Sequence, residues 1–337
     1  MNIIARKREF LQLLVPCIPR KVAKLFQFGF DTLVAQDIQS TRANARRADC
    51  SWITAKSKMW RLLGNDRLAA VLPLVLTRLS RVHAHDCVAI DFSDFGNGRQ
   101  VLMFARQTQK GRAVPVYFEI LEYPIEKGSQ NLFVIEAITR FFSLSKCAPT
   151  LVFDRGFACP SIIQFLAQNK YQFVIRIKKR KSLADANGIL KASESFREND
   201  VHTRAYGEFL RLIRSNDPKN GNDPWYLITN DFESTRSEII VRYYHRFEIE
   251  EFFRDAKHIL GFEYLNFKTR RGLALMLWFA LLSTWFFAQI ALTLTETEET
   301  ERLQWQVSRF RYVYETLMHE RLRSRDEGVY TLFLPLV

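Results

Sequence analysis

An ionised carboxylate in the middle of an apolar strand loses its hydration, which is costly unless a cation or a hydrogen-bond donor replaces the water. Asp91 stands in such a place, inside the run Cys87 to Ser93 (CVAIDFS), and Asp154 closes a second apolar run, Thr150 to Phe153. Carboxyl ends of strands are where ligands of α/β sheets converge, so the two acids are read as one site. Asp94, three residues after Asp91, competes for the first position but lies close to the turn signal Asn97-Gly98, away from the strand centre. A third acid comes from a charged segment read as one long helix from Ser237 to Ile259. At ~100° per residue, Tyr243, Arg246, Glu250 and Lys257 share an arc of about 60°, whereas Glu248 and Glu251 point elsewhere, at about 140° and 80° on the same wheel. Three carboxylates within ~4 Å of one another would repel by ~4 kcal/mol per pair at an effective dielectric near 20, so the cluster calls for a divalent cation. Oxygen ligands select Mg²⁺, with Mn²⁺ as a substitute, and two such ions suit in-line displacement at a phosphodiester whose charge Arg246 and Lys257 would take up.

The elements that must position these acids follow from periodicity. Cys87 to Ser93, Val101 to Ala105 and Val114 to Leu121 read as three strands joined by turns at Asn97-Gly98 and Lys110-Gly111. A helix over Asn131 to Phe142, the strand ending at Phe153, a helix from Pro160 to Asn169 and the run Tyr171 to Ile177 come next. Three hairpin-linked strands followed by α, β, α, β give an α/β fold of the ribonuclease H-like type, a mixed sheet with flanking helices. Residues 182–223 are polar and irregular, and Trp225 to Thr229 closes them as a strand.

The chain has 337 residues, 47% hydrophobic and 13% aromatic, enough to bury a large core, and a formal net charge of +13. Such a surface attracts phosphate backbones, which makes nucleic acid the leading partner. The excess concentrates in residues 1–80, which read as helical and hold 14 Lys or Arg against 5 Asp or Glu. Five cysteines without a CxxC pair indicate neither a zinc knuckle nor a disulfide framework and fit a reducing cytosol. No signal peptide is read at the N-terminus. Gly272 to Thr295 runs without a charge for long enough to span a bilayer, but it is single and carries Ser283, Thr284 and Gln289, so it is read as a buried core helix.

The spacing Tyr243-x2-Arg246-x3-Glu250-x6-Lys257 resembles the Y-R-E-K signature of DDE transposases of the insertion sequence four group, the bacterial cut-and-paste type. Asp154-Arg155-Gly156-Phe157 is similar to that group's second-aspartate motif, and Asp91-Phe92-Ser93 to its first. The resemblance covers residues 87 to 259. It implies catalytic, metal-holding Asp91, Asp154 and Glu250, binding to terminal inverted repeats, Mg²⁺-dependent cleavage and strand transfer into target DNA from a homodimeric complex. It implies DNA contacts by Tyr243, Arg246, Lys257 and Arg155 and by the basic run Arg176, Lys178, Lys179 and Arg180. It also puts Trp225 where related enzymes hold a flipped base as a DNA hairpin forms. The expected organisation is a helical, basic DNA-binding region (1–82), the first part of the catalytic core (83–181), a β-rich insertion (182–232), the catalytic Glu helix with the core helix (233–295), and a helical tail (296–337). A cytoplasmic, nucleoid-associated insertion-sequence enzyme without a membrane span follows.

Each feature also has a plainer reading. Asp91 could be a buried acid satisfied by backbone donors, Glu250 an ordinary helix surface residue, Trp225 a core residue, and Arg176 to Lys181 a solvated strand end. His245 and His258 fall off the key helix face and are read as non-catalytic, and Cys159 as a small helix-start residue. A transposase-derived protein that binds DNA without cutting it is the alternative function.

Overall fold

A computed structural model describes residues 3–34, 42, 45–46, 48, 50–95, 98–126, 128–216, 224–258, 262, 267, 269–291, 294–304 and 311–316. Asn97, the expected helix end at Ile259 and the tail from residue 317 lie outside the described residues. The chain divides into two compact units: residues 1–80, 95–97 and 253–337 form the first, and residues 81–94 and 98–252 the second.

The first unit is helical. It contains α1 (Ile3–Leu14), α2 (Arg20–Leu33), α3 (Trp52–Leu63) and α4 (Asp66–Ser80) from the N-terminal region, and α9 (Arg270–Ala291) and α10 (Glu296–Gln304) from the C-terminal region. Its centre is α9, the one described helix long and apolar enough to cross a membrane, and it is mostly buried within the protein. Phe279 and Phe286 of α9 meet Phe26 and Phe10 at ring separations of 5.9 and 5.6 Å. Gly29 permits this approach, because a Cβ there would lie 2.5 Å from the Phe279 ring. The apolar run of the sequence is thus covered by phenylalanines of α1 and α2.

The second unit is built on a mixed ten-stranded sheet. Its strands are β1 (Cys87–Asp94), β2 (Arg99–Arg106), β3 (Val114–Glu122), β4 (Thr150–Phe153) and β5 (Phe173–Ile177), followed by β6 (Ser182–Ala184), β7 (Leu190–Ala192), β8 (Asp200–Ala205), β9 (Glu208–Asn216) and β10 (Pro224–Thr229). The order is β3-β2-β1-β4-β5-β10-β9-β8-β6-β7. The β1–β3 pairings are antiparallel, while β4 runs parallel to both β1 and β5. With α5 (Ser129–Ser145) and α6 (Pro160–Gln168) as the crossovers, the first five strands have an arrangement consistent with the ribonuclease H-like fold. The stretch 182–223, polar and irregular by composition and expected to be β-rich from the resemblance, holds β6 to β9, and these continue the same sheet through the antiparallel β10–β5 pair. β6 and β7 are three residues each and β8 is mostly polar, so apolar alternation did not mark them.

The charged segment expected as one helix is broken. Thr235 and Glu238 form a capping box that starts α7 (Arg236–Tyr244); a 3₁₀ turn (His245–Phe247) follows, and α8 (Glu248–His258) resumes. A 3₁₀ turn advances ~120° per residue instead of ~100°, so the straight-helix wheel loses its phase between Tyr243 and Glu250.

Candidate functional site

The register of the sheet brings the two aspartates side by side. Ile90 pairs with Phe153 across the parallel β1–β4 pair, and Asp91 and Asp154 each come one residue later. Asp154 caps the 3₁₀ turn Arg155–Phe157, its Oδ1 accepting from the Gly156 N–H at 2.8 Å. A Cβ on Gly156 would approach that oxygen to 3.0 Å, so glycine lets the chain turn closely around the carboxylate. Phe92 and Phe157 stack at 5.7 Å and join the two motifs. Asp94 is exposed at the strand end, away from this arrangement.

Arg246, in the 3₁₀ turn, is 5% exposed and ties Glu250 to Asp91. Its Nη2 donates to Glu250 Oε1 at 2.7 Å and its Nη1 to Asp91 Oδ2 at 3.3 Å. The guanidinium lies 4.6 Å from the Phe247 ring centre, and its Nε, buried, has no hydrogen-bond partner among the described residues. Burial pushes the Asp91 carboxyl up to about 6; Arg246 and the Phe92 N–H work against that shift, and the charges of Asp154 and Glu250 add to it. Asp91 therefore senses the charge of the other two acids, which is a property a cation site needs. Oxygen donors of this kind suit a hard divalent ion. As they stand, however, Asp91 and Glu250 close on Arg246, and among the described residues no three His, Cys, Asp or Glu side chains are grouped to hold a metal ion.

The remaining expected residues divide. Arg155, Lys178, Lys179 and Arg180 are exposed, the last two facing Glu194 at 3.4 and 3.5 Å. Lys257 is half-buried in the last turn of α8 and belongs to the first unit. Tyr243 is buried, and its hydroxyl hydrogen-bonds Arg246 and Arg176; burial raises its pKa. It holds two arginines in place and offers no open face to a nucleotide.

Trp225 corrects the expectation outright. It is 0% exposed, packed edge-on against Tyr243 at 4.9 Å and enclosed with Val152, Val174, Ile213, Leu227 and Ile239. A ring with no free face cannot stack on a flipped base, so Trp225 is a core residue. Its strand neighbours Tyr226, Leu227 and Ile228 are equally buried, because β10 is central in the sheet and covered on both sides.

Sequence reasoning missed Glu248, set aside as pointing elsewhere. It does point away from Glu250, and there its carboxylate accepts from the backbone N–H groups of Thr108 (2.7 Å) and Gly111 (3.1 Å) and lies 3.1 Å from His245 Nδ1. It missed Asp231 too, whose carboxylate takes hydrogen bonds from Glu233, Ser234 and Arg242.

Residues 134–286, somewhat under half of the chain, match the family described as the transposase DDE domain. The match supports a DDE transposase; such domains typically use divalent metal ions. Asp154 and Glu250 lie within the matched stretch and Asp91 precedes it. Among solved structures, the crystal structure of human ENDOV is similar at 14% identity, covering 70% of this chain and 97% of that one, with a TM-score of 0.27. A score that low carries no argument about fold or activity. No curated protein matches.

Proposed function

We propose that this chain is a DNA transposase of the cut-and-paste type, related to the insertion sequence four group, with Asp91, Asp154 and Glu250 as its acids. One observation carries the reading: Asp91 stands next to Asp154, each one residue past the Ile90–Phe153 pair, and is tied to Glu250 through Arg246, in a chain whose residues 134–286 match a transposase DDE domain.

DNA is the substrate. Asp91, Asp154 and Glu250 would hold Mg²⁺, or Mn²⁺ in its place, as one or two ions. When bound, the metal supplies activation of the attacking oxygen and neutralisation of charge at the phosphodiester. Arg246 supplies positive charge to the acids meanwhile. Tyr243 fixes Arg246 and Arg176 beneath the site, and Arg155 with the exposed Lys178 to Arg180 run takes backbone phosphates. Inverted repeats at the element's ends, strand transfer, a homodimeric complex and a cytoplasmic, nucleoid-associated location belong to the same proposal.

The helical region 1–82 is the DNA-binding part of that scheme. In α3, Ala55, Met59 and Leu62 face inward, while Ile53 and Trp60 are 80% and 65% exposed beside exposed Lys56, Ser57 and Arg61. The helix contains no acid. A bare basic face that keeps large apolar side chains in water suits a duplex groove.

The test is cleavage of a duplex carrying the inverted repeats that flank the coding sequence. Glu250→Gln keeps the affinity for this duplex and cuts it at least about a hundredfold more slowly in Mg²⁺, since losing a ligand costs no less than losing its support. Undiminished cutting would refute the assignment. A second reading, DNA binding without cleavage, draws on the bridge from Arg246 to both Asp91 and Glu250. It predicts wild-type protein that binds the duplex yet leaves it intact in both Mg²⁺ and Mn²⁺.

A further inference from the structure

We propose that Glu248 is a positioning residue that sets the separation of Asp91 and Glu250 by fastening the β2–β3 turn to the start of α8. The proposal rests on the site reading above and adds a component to it.

Glu248 is 4% exposed, and a carboxylate in that setting needs several donors. It has them, and they come from sequence positions 137 to 140 residues away. Oε2 accepts from Thr108 N–H, Oε1 from Gly111 N–H, and Oε1 also faces His245 Nδ1. Gly111 reaches this position with a φ of +84°, a conformation that L side chains rarely adopt. The main chain repeats the link: Ala113 N–H donates to the Glu248 carbonyl at 3.2 Å. On either side, Gln107 Nε2 donates to the Arg242 carbonyl at 3.0 Å, and Arg112 faces Glu251 at 3.4 Å.

The consequence follows from the strand pairing. The fastened turn joins β2 to β3, and Met103 of β2 is the partner of Asp91 on β1. Asp91 is thereby carried by a hairpin whose far end is bolted to Glu248, two residues before Glu250. Arg246 alone is a weak ruler for the two acids, because its contact with Asp91 is 3.3 Å long. Glu248 supplies the rigid one. A glutamine cannot replace it silently: the two backbone N–H groups and the imidazole N–H ask for acceptors at both oxygens, and an amide NH₂ would confront one of them with a donor.

Glu248→Gln and Glu248→Asp, made in the full chain, test this. Both are expected to fold, as shown by far-UV circular dichroism and a single thermal transition. At a temperature well below that transition, Glu248→Gln is expected to bind duplex DNA within about twofold of wild type. It should cleave about tenfold more slowly and bind Mn²⁺, followed by electron paramagnetic resonance, about tenfold more weakly, the range seen for supports of metal ligands. Glu248→Asp, which keeps an all-acceptor carboxylate, is expected to recover part of both losses. A metal-independent reading completes the set: the Tm loss caused by Glu248→Gln should shrink by at least half when Arg246 is already Ala, because the clamp and the bridge then no longer support each other. A variant that loses thermal stability but keeps wild-type cleavage and Mn²⁺ affinity, with a Tm loss unchanged by Arg246→Ala, overturns the proposal. Wild-type protein that neither binds Mn²⁺ nor cuts DNA, but shows the Tm coupling, would instead defeat the transposase reading and leave the positioning role standing.

Discussion

Asp91 and Asp231 sit in the same unit, each largely buried and each beside an arginine, yet their environments act in opposite directions. The Asp231 side chain is 2% exposed, and its two oxygens accept from Glu233 N–H, Ser234 N–H, the Ser234 hydroxyl and Arg242 Nη1. Burial alone would raise its pKa, but these donors outweigh burial and bring it down to about 2. Asp91 has one backbone donor at 2.8 Å and a longer arginine contact, and it faces two further acids; its pKa goes up to about 6. The first carboxylate is satisfied by the fold. The second, the one proposed to hold metal, keeps a raised pKa that only part of its surroundings offsets.

The largest expected effect breaks the satisfied member. Asp231→Ala leaves Arg242 and Ser234 without their partner at the mouth of α7, and is expected to cost about 3 kcal/mol of unfolding free energy in urea titration, discounted from a fully buried pair because the Arg242 side chain is 25% exposed. A cost below ~1 kcal/mol would show that the network is ornamental. The pH dependence carries the same sign: with the folded pKa below the unfolded one, this stabilisation is present above pH ~4 and lost as pH falls toward about 2. Calorimetry on wild type and Asp231→Asn, the variant being flatter across that window, checks it.

Next comes the unsatisfied member. Asp91→Asn is expected to slow DNA cleavage at least about a hundredfold, ~2.7 kcal/mol of barrier, while making the metal-free protein more stable by about 1–2 kcal/mol at pH 7.5. The gain follows from linkage. A raised carboxyl pKa means that the folded state holds its proton longer than the unfolded chain, so wild-type stability is full below pH ~4 and declines as pH rises through about 6. The amide of Asp91→Asn cannot ionise, so the decline should be missing from that variant's urea profile. A variant less stable than wild type at pH 7.5 would mean that the Arg246 bridge, and not desolvation, dominates this position.

How much of this was open to sequence reading depends on range. The strands carrying Asp91 and Asp154 were legible because apolar runs bounded by turn residues are local, and β1–β5 follow the expected order. The break at His245–Phe247 was not, since nothing in Tyr-Tyr-His-Arg-Phe departs from helical propensity and the 3₁₀ turn is where Arg246 makes its long-range contact. Glu248 was invisible for the same reason, whereas the partners of Asp231 lie only two to eleven residues on, a local pattern that sequence reasoning passed over. A glutamate near two others on a helix reads as solvent-facing until the β2–β3 turn, 140 residues earlier, is known to lie against it. Trp225 misled in the other direction: its place before the Glu helix matched a functional pattern, but its strand is central and buried on both faces.

The smallest effect is also the sharpest on what organises the satisfied site. Arg242 donates from Nη1 to Asp231 Oδ2 and from Nη2 to the Ser234 hydroxyl at 2.9 Å. Lysine keeps the charge but has a single ammonium in place of the planar fork, so Arg242→Lys should retain the ion pair and lose the Ser234 bond. One such bond is worth ~1 kcal/mol, and the remaining acceptors of Asp231 still have the donors from Glu233 and Ser234. The expected loss in urea titration is therefore about 1 kcal/mol, a third of that for Asp231→Ala. If instead Arg242→Lys costs as much as removing Asp231, the guanidinium is the hub and the carboxylate merely fills it. The contrast with Asp91 would then lie in how each arginine is held: Arg242 by two hydrogen bonds at 2.9 Å or less, Arg246 with its Nε unpaired among the described residues.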